Sequence, residues 1–348
     1  MNITHERAVP AAIVGFGWWG RNVARMLASS RAMRLATAVD PTSEGRDAAR
    51  AVGLAAVDSL ELVVADPAIQ AVILCSPHQF HSAQIELCAG AGKHVFCEKP
   101  FCTTGEEARR AISAVERAGV KLGIGHERRF EPAICDLREC VLRGELGTPL
   151  LIEGNFSQDK FLALPPDNWR LSAVEAPVGP LSATGIHLVD LAIAFLGRPV
   201  EALARLATLA TSFANGDTLL ISLRFESGAV ASLTAILTTP FAGRFALYGS
   251  TGWTEIRDRA HPESPRGWDV TTVKRGGAPN VTFVPPAPIV QLNLETFAEA
   301  IIHGRPYPVT LAEIQTNVDT FEAITRSALS GRPEPITTRN DEHRGRSP

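Results

Sequence analysis

Ala11-Ala12-Ile13-Val14-Gly15-Phe16-Gly17-Trp18-Trp19-Gly20 joins a short apolar run to a GxGxxG turn, and its reading decides the fold. A GxGxxG alone is weak evidence. Here the apolar run predicts a strand and the residues after Trp19 predict a helix, so the glycines sit where a strand must turn into a helix. Gly15 would permit the tight turn, Gly17 would let the backbone approach a pyrophosphate, and Gly20 would allow close helix–strand packing. The amides opening the helix, together with its dipole, would attract the phosphates. A second strand-like run ends at Ala38-Val39 and delivers Asp40, twenty residues past Gly20. That spacing is the context a dinucleotide fingerprint requires.

Working outward, strands are predicted near 11–15, 34–39, 71–75, 94–97 and 120–124. Helices are predicted at Trp19 to Ala28, Ser43 to Val52, Phe80 to Ala91 and Thr103 to Ala118. Thr103-Thr104-Gly105-Glu106 has the spacing of a capping box, and Gly119 ends that helix. Strands alternating with helices predict a parallel, doubly wound sheet with right-handed crossovers. After residue 128 the pattern changes. A helix is expected from Pro132 to Arg143, a strand at Pro149 to Phe156, a proline-rich loop, and a helix from Thr184 to Leu196. Strands follow at Val200–Leu209, Thr218–Phe225, Ala229–Leu237, Arg244–Gly249 and Thr254–Arg257, then helices at Gln291–Ile302 and Leu311–Leu329. Glu226-Ser227-Gly228 reads as a hairpin turn. The expected class is therefore α/β. It comprises an N-terminal Rossmann sheet over 1–128, a C-terminal α/β domain with a large, mostly antiparallel open sheet over 129–335, and a frayed tail over 336–348.

Composition limits the function classes. With 348 residues, 45% hydrophobic and 20% charged, the chain reads as a globular protein of two domains. A net charge of -3 shows no nucleic-acid footprint. Met1-Asn2-Ile3-Thr4-His5-Glu6-Arg7 carries charge and no apolar h-region, and no run approaches the roughly 20 residues that span a bilayer. A cytoplasmic location is expected, with the six cysteines as buried free thiols. Cys97 and Cys102 flank Glu98-Lys99-Pro100, so one of them is expected to be accessible and oxidisable.

The third and fourth apolar runs, Ala71-Val72-Ile73-Leu74 and His94-Val95-Phe96-Cys97, lead into Ser76-Pro77 and Glu98-Lys99-Pro100. Ligands of open α/β sheets bind outside the carboxyl ends of the strands, which is where Lys99 falls. With Gly92-Lys93-His94-Val95, His81, Arg129-Phe130-x-Pro132, Trp169-Arg170 and Gly185-x-His187-x-x-Asp190, these pieces stand in an order that covers most of residues 9–330. In that arrangement the chain resembles the glucose–fructose oxidoreductase / inositol dehydrogenase / MocA family (Gfo/Idh/MocA).

The resemblance implies an NAD(P)-dependent dehydrogenase or reductase acting on CH–OH groups. It would interconvert a secondary alcohol and a ketone on a sugar, cyclitol or related cyclic diol. Lys99 and His187 would handle protons, and the Lys99–Pro100 peptide would help shape the nicotinamide pocket. Cofactor contacts are expected from Gly15, Phe16, Gly17, Trp18, Trp19, Gly20, Asp40, Ser76, Pro77, His81, Glu98 and Lys99. Substrate contacts are expected from Arg129, Trp169, Arg170, Thr184 and Asp190, and the open sheet would pair copies into a homodimer or homotetramer. Asp40 would accept hydrogen bonds from both adenosine-ribose hydroxyls and favour NAD. Arg46, just beyond, could fold back onto the 2′-phosphate of NADP.

Arg129 and its neighbours read equally as salt-bridged scaffold, and Trp169-Arg170 reads nearly as well as a staple between domains. Many members of the family carry an aspartate four residues before the histidine, where this chain has Ala183. Two other readings therefore stand. One is a dehydrogenase of a cyclic hemiacetal, semialdehyde or aromatic cis-dihydrodiol on the same scaffold. The other is a non-catalytic, cofactor-dependent binder. Zinc chemistry is not expected: Gly125-His126-Glu127 has Phe130 where the zinc dehydrogenase motif needs glycine. A short-chain dehydrogenase is excluded because Tyr248 and Tyr307 have no lysine four residues on.

Overall fold

The structure is a computed structural model that describes residues 8–337 of the chain. Two compact units form. One holds residues up to Glu127 together with Pro288–Gln315, and the other holds Arg128–Ala287 and the chain from Thr316 on. The charged Met1–Arg7 stretch and the tail from 338 on lie outside the described residues.

The first unit runs β1 (Val9–Val14), α1 (Trp18–Leu27), β2 (Met33–Val39), α2 (Ser43–Ala51), β3 (Ala55–Val57), α3 (Leu60–Val64), β4 (Ala71–Leu74), α4 (His81–Gly90), β5 (His94–Cys97), α5 (Gly105–Ala118) and β6 (Leu122–Ile124). Its six strands are all parallel, in the order β3-β2-β1-β4-β5-β6. That is the doubly wound dinucleotide-binding order, with the switch point between β1 and β4. All four residues of β4 are buried, as expected of a parallel strand covered on both faces. The sequence reading passed over β3 and α3, elements of three and five residues that are too short to show a period. It also placed the capping box one residue early. Thr104 caps α5 and Glu107 answers it, because the helix begins at Gly105.

The second unit contains α6 (Pro132–Leu142), β7 (Pro149–Ser157), α7 (Ile186–Leu196), β8 (Pro199–Ala207), β9 (Thr218–Phe225), β10 (Val230–Ile236), β11 (Ala242–Gly249), β12 (Gly252–Asp258), β13 (Trp268–Lys274) and β14 (Asn280–Val284). The chain then forms α8 (Ile289–Ile302), α9 (Leu311–Ser330) and the short β15 (Glu334–Pro335). The nine-stranded sheet runs β14-β13-β12-β11-β7-β10-β9-β8-β15, antiparallel except where β10 pairs with β7. Gly228, at φ 85°, makes the expected hairpin turn between β9 and β10. The reading stopped at Arg257 and missed β13 and β14, an edge hairpin whose outer strand is largely exposed.

Residues 288–315, expected in the second unit, pack with the first. Phe297 meets Phe96 edge-on at 5.6 Å, and Asn293 Nδ2 donates to Ile124 O at 2.9 Å. A Cβ on Gly123 would strike both phenyl rings, so glycine is what lets α8 lie against β5 and β6. At the other end, β15 pairs with β8 and Ile336 is buried, so order extends past the expected start of the tail. No described helix is long and apolar enough to cross a membrane.

Candidate functional site

In the first unit the Gly-rich turn has the division of labour its spacing implies. Gly15 has φ 85°, and a Cβ there would lie 2.8 Å from Cys75 O. A Cβ on Gly20 would sit 2.1 Å from Gly15 O, so the first turn of α1 can close on the loop only without a side chain. Gly17 is different: nothing lies within 4 Å of its would-be Cβ. The space over Gly17 is open for a ligand, and the residues present fit an NAD pyrophosphate. Trp18 is exposed and Trp19 half-buried, their rings 5.7 Å apart.

Asp40 closes this turn from below. Its Oδ2 accepts from Phe16 N at 2.8 Å, and its Oδ1 accepts from Thr42 N at 2.9 Å and Thr42 Oγ1 at 2.6 Å. An ionised carboxylate offers about four acceptor sites, so roughly one is left for a ribose hydroxyl rather than the expected pair. Arg46 donates from Nη1 to the carbonyls of Asp40 and Pro41 at 2.9 Å each. Its guanidinium therefore lies at the end of β2.

Ser76-Pro77 leaves β4 and Glu98-Lys99-Pro100 leaves β5, neighbouring strands in register at Leu74 and Cys97. The Lys99–Pro100 peptide is cis, and Lys99 is half-buried. Glu98 is buried against Gly125, where a Cβ would come within 2.4 Å of its carboxylate, and it accepts from Lys99 N at 3.3 Å. Burial pushes its carboxyl up from the ordinary value, opposed by the Trp19 indole and by Lys99. The indole Nε1 itself is buried. His81 was expected on the cofactor. It is fully buried instead, and both ring nitrogens face backbone carbonyls. Cys97 and Cys102 are buried too, so neither is the accessible thiol; Cys135, on α6, is the exposed one. Burial drives the Cys97 and Cys102 thiols up, away from the reactive thiolate.

In the second unit His187 lies on the first turn of α7, directly after a π-turn at Leu181–Gly185. Such widened turns recur at functional sites. Ala183 is the one residue of the turn that is not buried. Val178, just ahead, holds φ 50°, a left-handed conformation that a β-branched residue adopts only under constraint. Asn215 supplies that constraint. It donates from Nδ2 to Arg170 O and Ala176 O at 2.8 Å each, while its backbone carbonyl accepts from Gly179 N. The sequence reading missed Asn215, although Asn215-Gly216-Asp217 is a turn signal between strands.

His187 is buried, with its ring 5.8 Å from Phe156 of β7. Phe156 in turn meets Phe241 at 6.2 Å and His261 at 5.5 Å, so an aromatic group gathers beside the histidine. Thr184, expected to touch substrate, donates its hydroxyl to Phe156 O at 2.7 Å and so ties α7 to β7. Asp190 and Arg129 are spent on each other: Nε to Oδ2 and Nη2 to Oδ1 are both 2.7 Å, with both side chains buried. The scaffold reading of Arg129 is the geometry observed. Arg128 likewise bonds Glu131 at 2.7 Å and Asp258 at 2.9 Å. Arg170 stacks on Trp169 with its guanidinium 4.3 Å from the ring centroid, and burial pulls its pKa down.

Comparison with known proteins agrees with this architecture. The description "Oxidoreductase family, NAD-binding Rossmann fold" (GFO_IDH_MocA) matches residues 9–126, and the GFO/IDH/MocA C-terminal domain matches residues 134–255. The chain is similar to 1,5-anhydro-D-fructose reductase of Ensifer adhaerens, at 31% identity over 81% of this chain and 84% of the relative. It is also similar to the NAD(+) scyllo-inositol 2-dehydrogenase of Bacillus subtilis, at 28% identity over 94% and 96%. Among solved structures, aldose-aldose oxidoreductase from Caulobacter crescentus, complexed with glycerol, superposes with TM-score 0.83 at 27% identity. That match covers 94% of this chain and all of the other.

Proposed function

We infer the activity from one premise: the chain belongs to the Gfo/Idh/MocA oxidoreductase family, and its first unit is an NAD-binding Rossmann domain. We propose that it interconverts a secondary alcohol and a ketone on a sugar, cyclitol or related cyclic diol. Bound NAD(P) supplies the hydride acceptor or donor at its nicotinamide ring. In the oxidising direction the carbon gives up its hydrogen as hydride and the hydroxyl gives up its proton. His187 takes that proton as general base. Lys99 binds the same oxygen as the second acid/base group and shares the proton traffic with His187.

The observation that carries the reading is the placement of Lys99 at the carboxyl end of β5. There it lies beside the Ser76-Pro77 turn, at the edge where an open parallel sheet binds its ligands. The turn backbone, with open space over Gly17, provides the pyrophosphate seat on the same edge. NAD is the proposed cofactor. Arg46 keeps NADP within reach, because its guanidinium lies beside Asp40 at the end of β2.

A second reading is favoured by the rings gathered on Phe156, next to His187. Phe156, Phe241 and His261 form an aromatic wall suited to an aromatic cis-dihydrodiol. Two further proposals concern setting. The chain is cytoplasmic, and the free face of the nine-stranded sheet pairs with a second copy. Burial alternates along β9, whose outward residues include Leu220 and Arg224, as on a sheet covered on one face.

A thermal-shift screen of sugars, inositols and aromatic diols, with and without NAD or NADP, tests the function. Productive ligands raise the melting temperature by mass action and reduce the cofactor. Stabilisation and turnover by a polyol with NAD is the expected result. Stabilisation without turnover by any compound points to the non-catalytic binder.

A further inference from the structure

His81 is the first residue of α4, and its ring reaches across to the loop that leaves the neighbouring strand. Nδ1 lies 3.0 Å from Pro100 O and 3.2 Å from Phe101 O, and Nε2 lies 2.9 Å from Ser76 O. The side chain is 0% exposed, so a ligand on the sheet edge cannot touch it. A neutral imidazole donates from one nitrogen only. Two carbonyls compete for the proton on Nδ1 against one on Nε2, so a single proton belongs on Nδ1. Burial opposes a second proton, while the three carbonyls favour it. Either way, Nδ1 holds the backbone of residues 100 and 101 to the first turn of α4.

We propose that His81 is a positioning residue that fixes the turn carrying Lys99 to the first turn of α4, and so sets where the Lys99 ammonium stands. The proposal rests on the acid/base reading of Lys99 and adds what orients it. Lys99 is the residue just before the clamped carbonyls, so a slip of the turn moves its Cα directly. Misplacing a reacting group by about 1 Å costs on the order of 100-fold in rate. The neighbouring half of the turn is already fixed by Glu98, buried against Gly125.

The test uses three variants of the full chain. His81→Asn places an amide nitrogen close to the former Nδ1 and keeps the bonds to residues 100 and 101. His81→Gln places it close to the former Nε2, facing Ser76 O and away from residues 100 and 101, and His81→Phe keeps a ring with no donor. Two readouts need no substrate: NAD affinity by calorimetry, and the rate at which Lys99 is reductively methylated with NAD saturating, read by peptide mass spectrometry. The third is the split between kcat and KM on whichever compound the screen identifies.

His81→Phe is expected to lower kcat about 100-fold, with KM and NAD affinity within about threefold. His81→Asn should recover most of that loss and His81→Gln little, with Lys99 labelling changing in the same order. Unchanged Lys99 labelling in all three variants overturns the proposal, as does equal rescue by Asn and Gln. If His81→Phe does not fold, the Asn and Gln pair decides alone. If Lys99→Met keeps turnover while the labelling order holds, the dehydrogenase reading fails and the clamp stands.

Discussion

The two sheets of this protein prepare their ligand chemistry by different means. β4 is buried along its whole length, while β9 alternates buried and exposed. In the first unit the covered parallel sheet presents strand ends, and the chemistry there belongs largely to the backbone: glycines without side chains, amides at a helix start, carbonyls held by His81. In the second unit the proposed site is made of side chains on α7, β7 and the loops, where Arg128 pairs with Glu131 and Arg129 with Asp190. A motif that works through the backbone constrains residue type at fixed spacing. A site made of side chains is defined only when the sheet brings distant residues together.

The sharpest way to break this comparison is at Lys99, the one side chain on which the first unit's proposed chemistry depends. Lys99→Met should cut turnover by roughly two to four orders of magnitude and leave NAD affinity nearly unchanged. Steady-state kinetics with calorimetry decides it, and near-normal turnover removes Lys99 from the mechanism.

Next in size is Asp190, where the second unit has spent its charge on structure. Asp190→Ala removes two charge-assisted hydrogen bonds from the buried Arg129 guanidinium, which should cost about 2–3 kcal/mol of unfolding free energy in urea. A variant of unchanged stability with a raised KM would return Asp190 to the substrate.

Gly17 and Gly20 sharpen the contrast within a single turn. Gly17→Ala meets nothing within 4 Å and should leave the melting temperature alone, while weakening NAD about 10-fold, worth about 1.4 kcal/mol, by filling the pyrophosphate seat. Gly20→Ala, 2.1 Å from Gly15 O, should lower stability as well. Unchanged NAD affinity in Gly17→Ala would show that the open space over Gly17 is not the ligand's.

The smallest effect is electrostatic and belongs to the second unit. Burial pushes the Glu131 carboxyl up to about 7, with Arg128 opposing and Asp258 adding to the rise. A raised folded value means the native state binds more protons than the unfolded chain. Glu131 therefore stabilises most below the ordinary carboxylate range, near pH 4.5, and that contribution fades as pH rises through about 7. Glu131→Gln should flatten the dependence in denaturation curves taken from pH 5 to 8, about the window named. A slope unchanged by the substitution would place the effect elsewhere.

How much could be read in advance varies along the chain. The five strands and four helices expected before residue 128 all formed within a few residues, because alternating apolar runs and caps act over short distances. Three-residue β3 carried no period, and the β13–β14 hairpin lies at a sheet edge where burial is too slight to impose one. Residues 288–315 looked like the end of the second unit because they follow it in sequence. Only the packing of Phe297 on Phe96 and of Asn293 on Ile124 reveals their allegiance.

The sequence by itself determined five of the six parallel strands, the steric need for glycine at Gly15 and Gly20, and the lysine at the end of β5. Each of these follows from backbone sterics or from periodicity over a few residues. Tertiary structure alone decided that His81 faces carbonyls 19 and 20 residues away and that Asp190 belongs to Arg129, 61 residues earlier. It also decided that Phe156 and His261 share a wall, 105 residues apart in the chain. A side chain's hydrogen-bond and ionic partners depend on which strands and helices pack side by side. Nothing in the local spacing of residues fixes that neighbour.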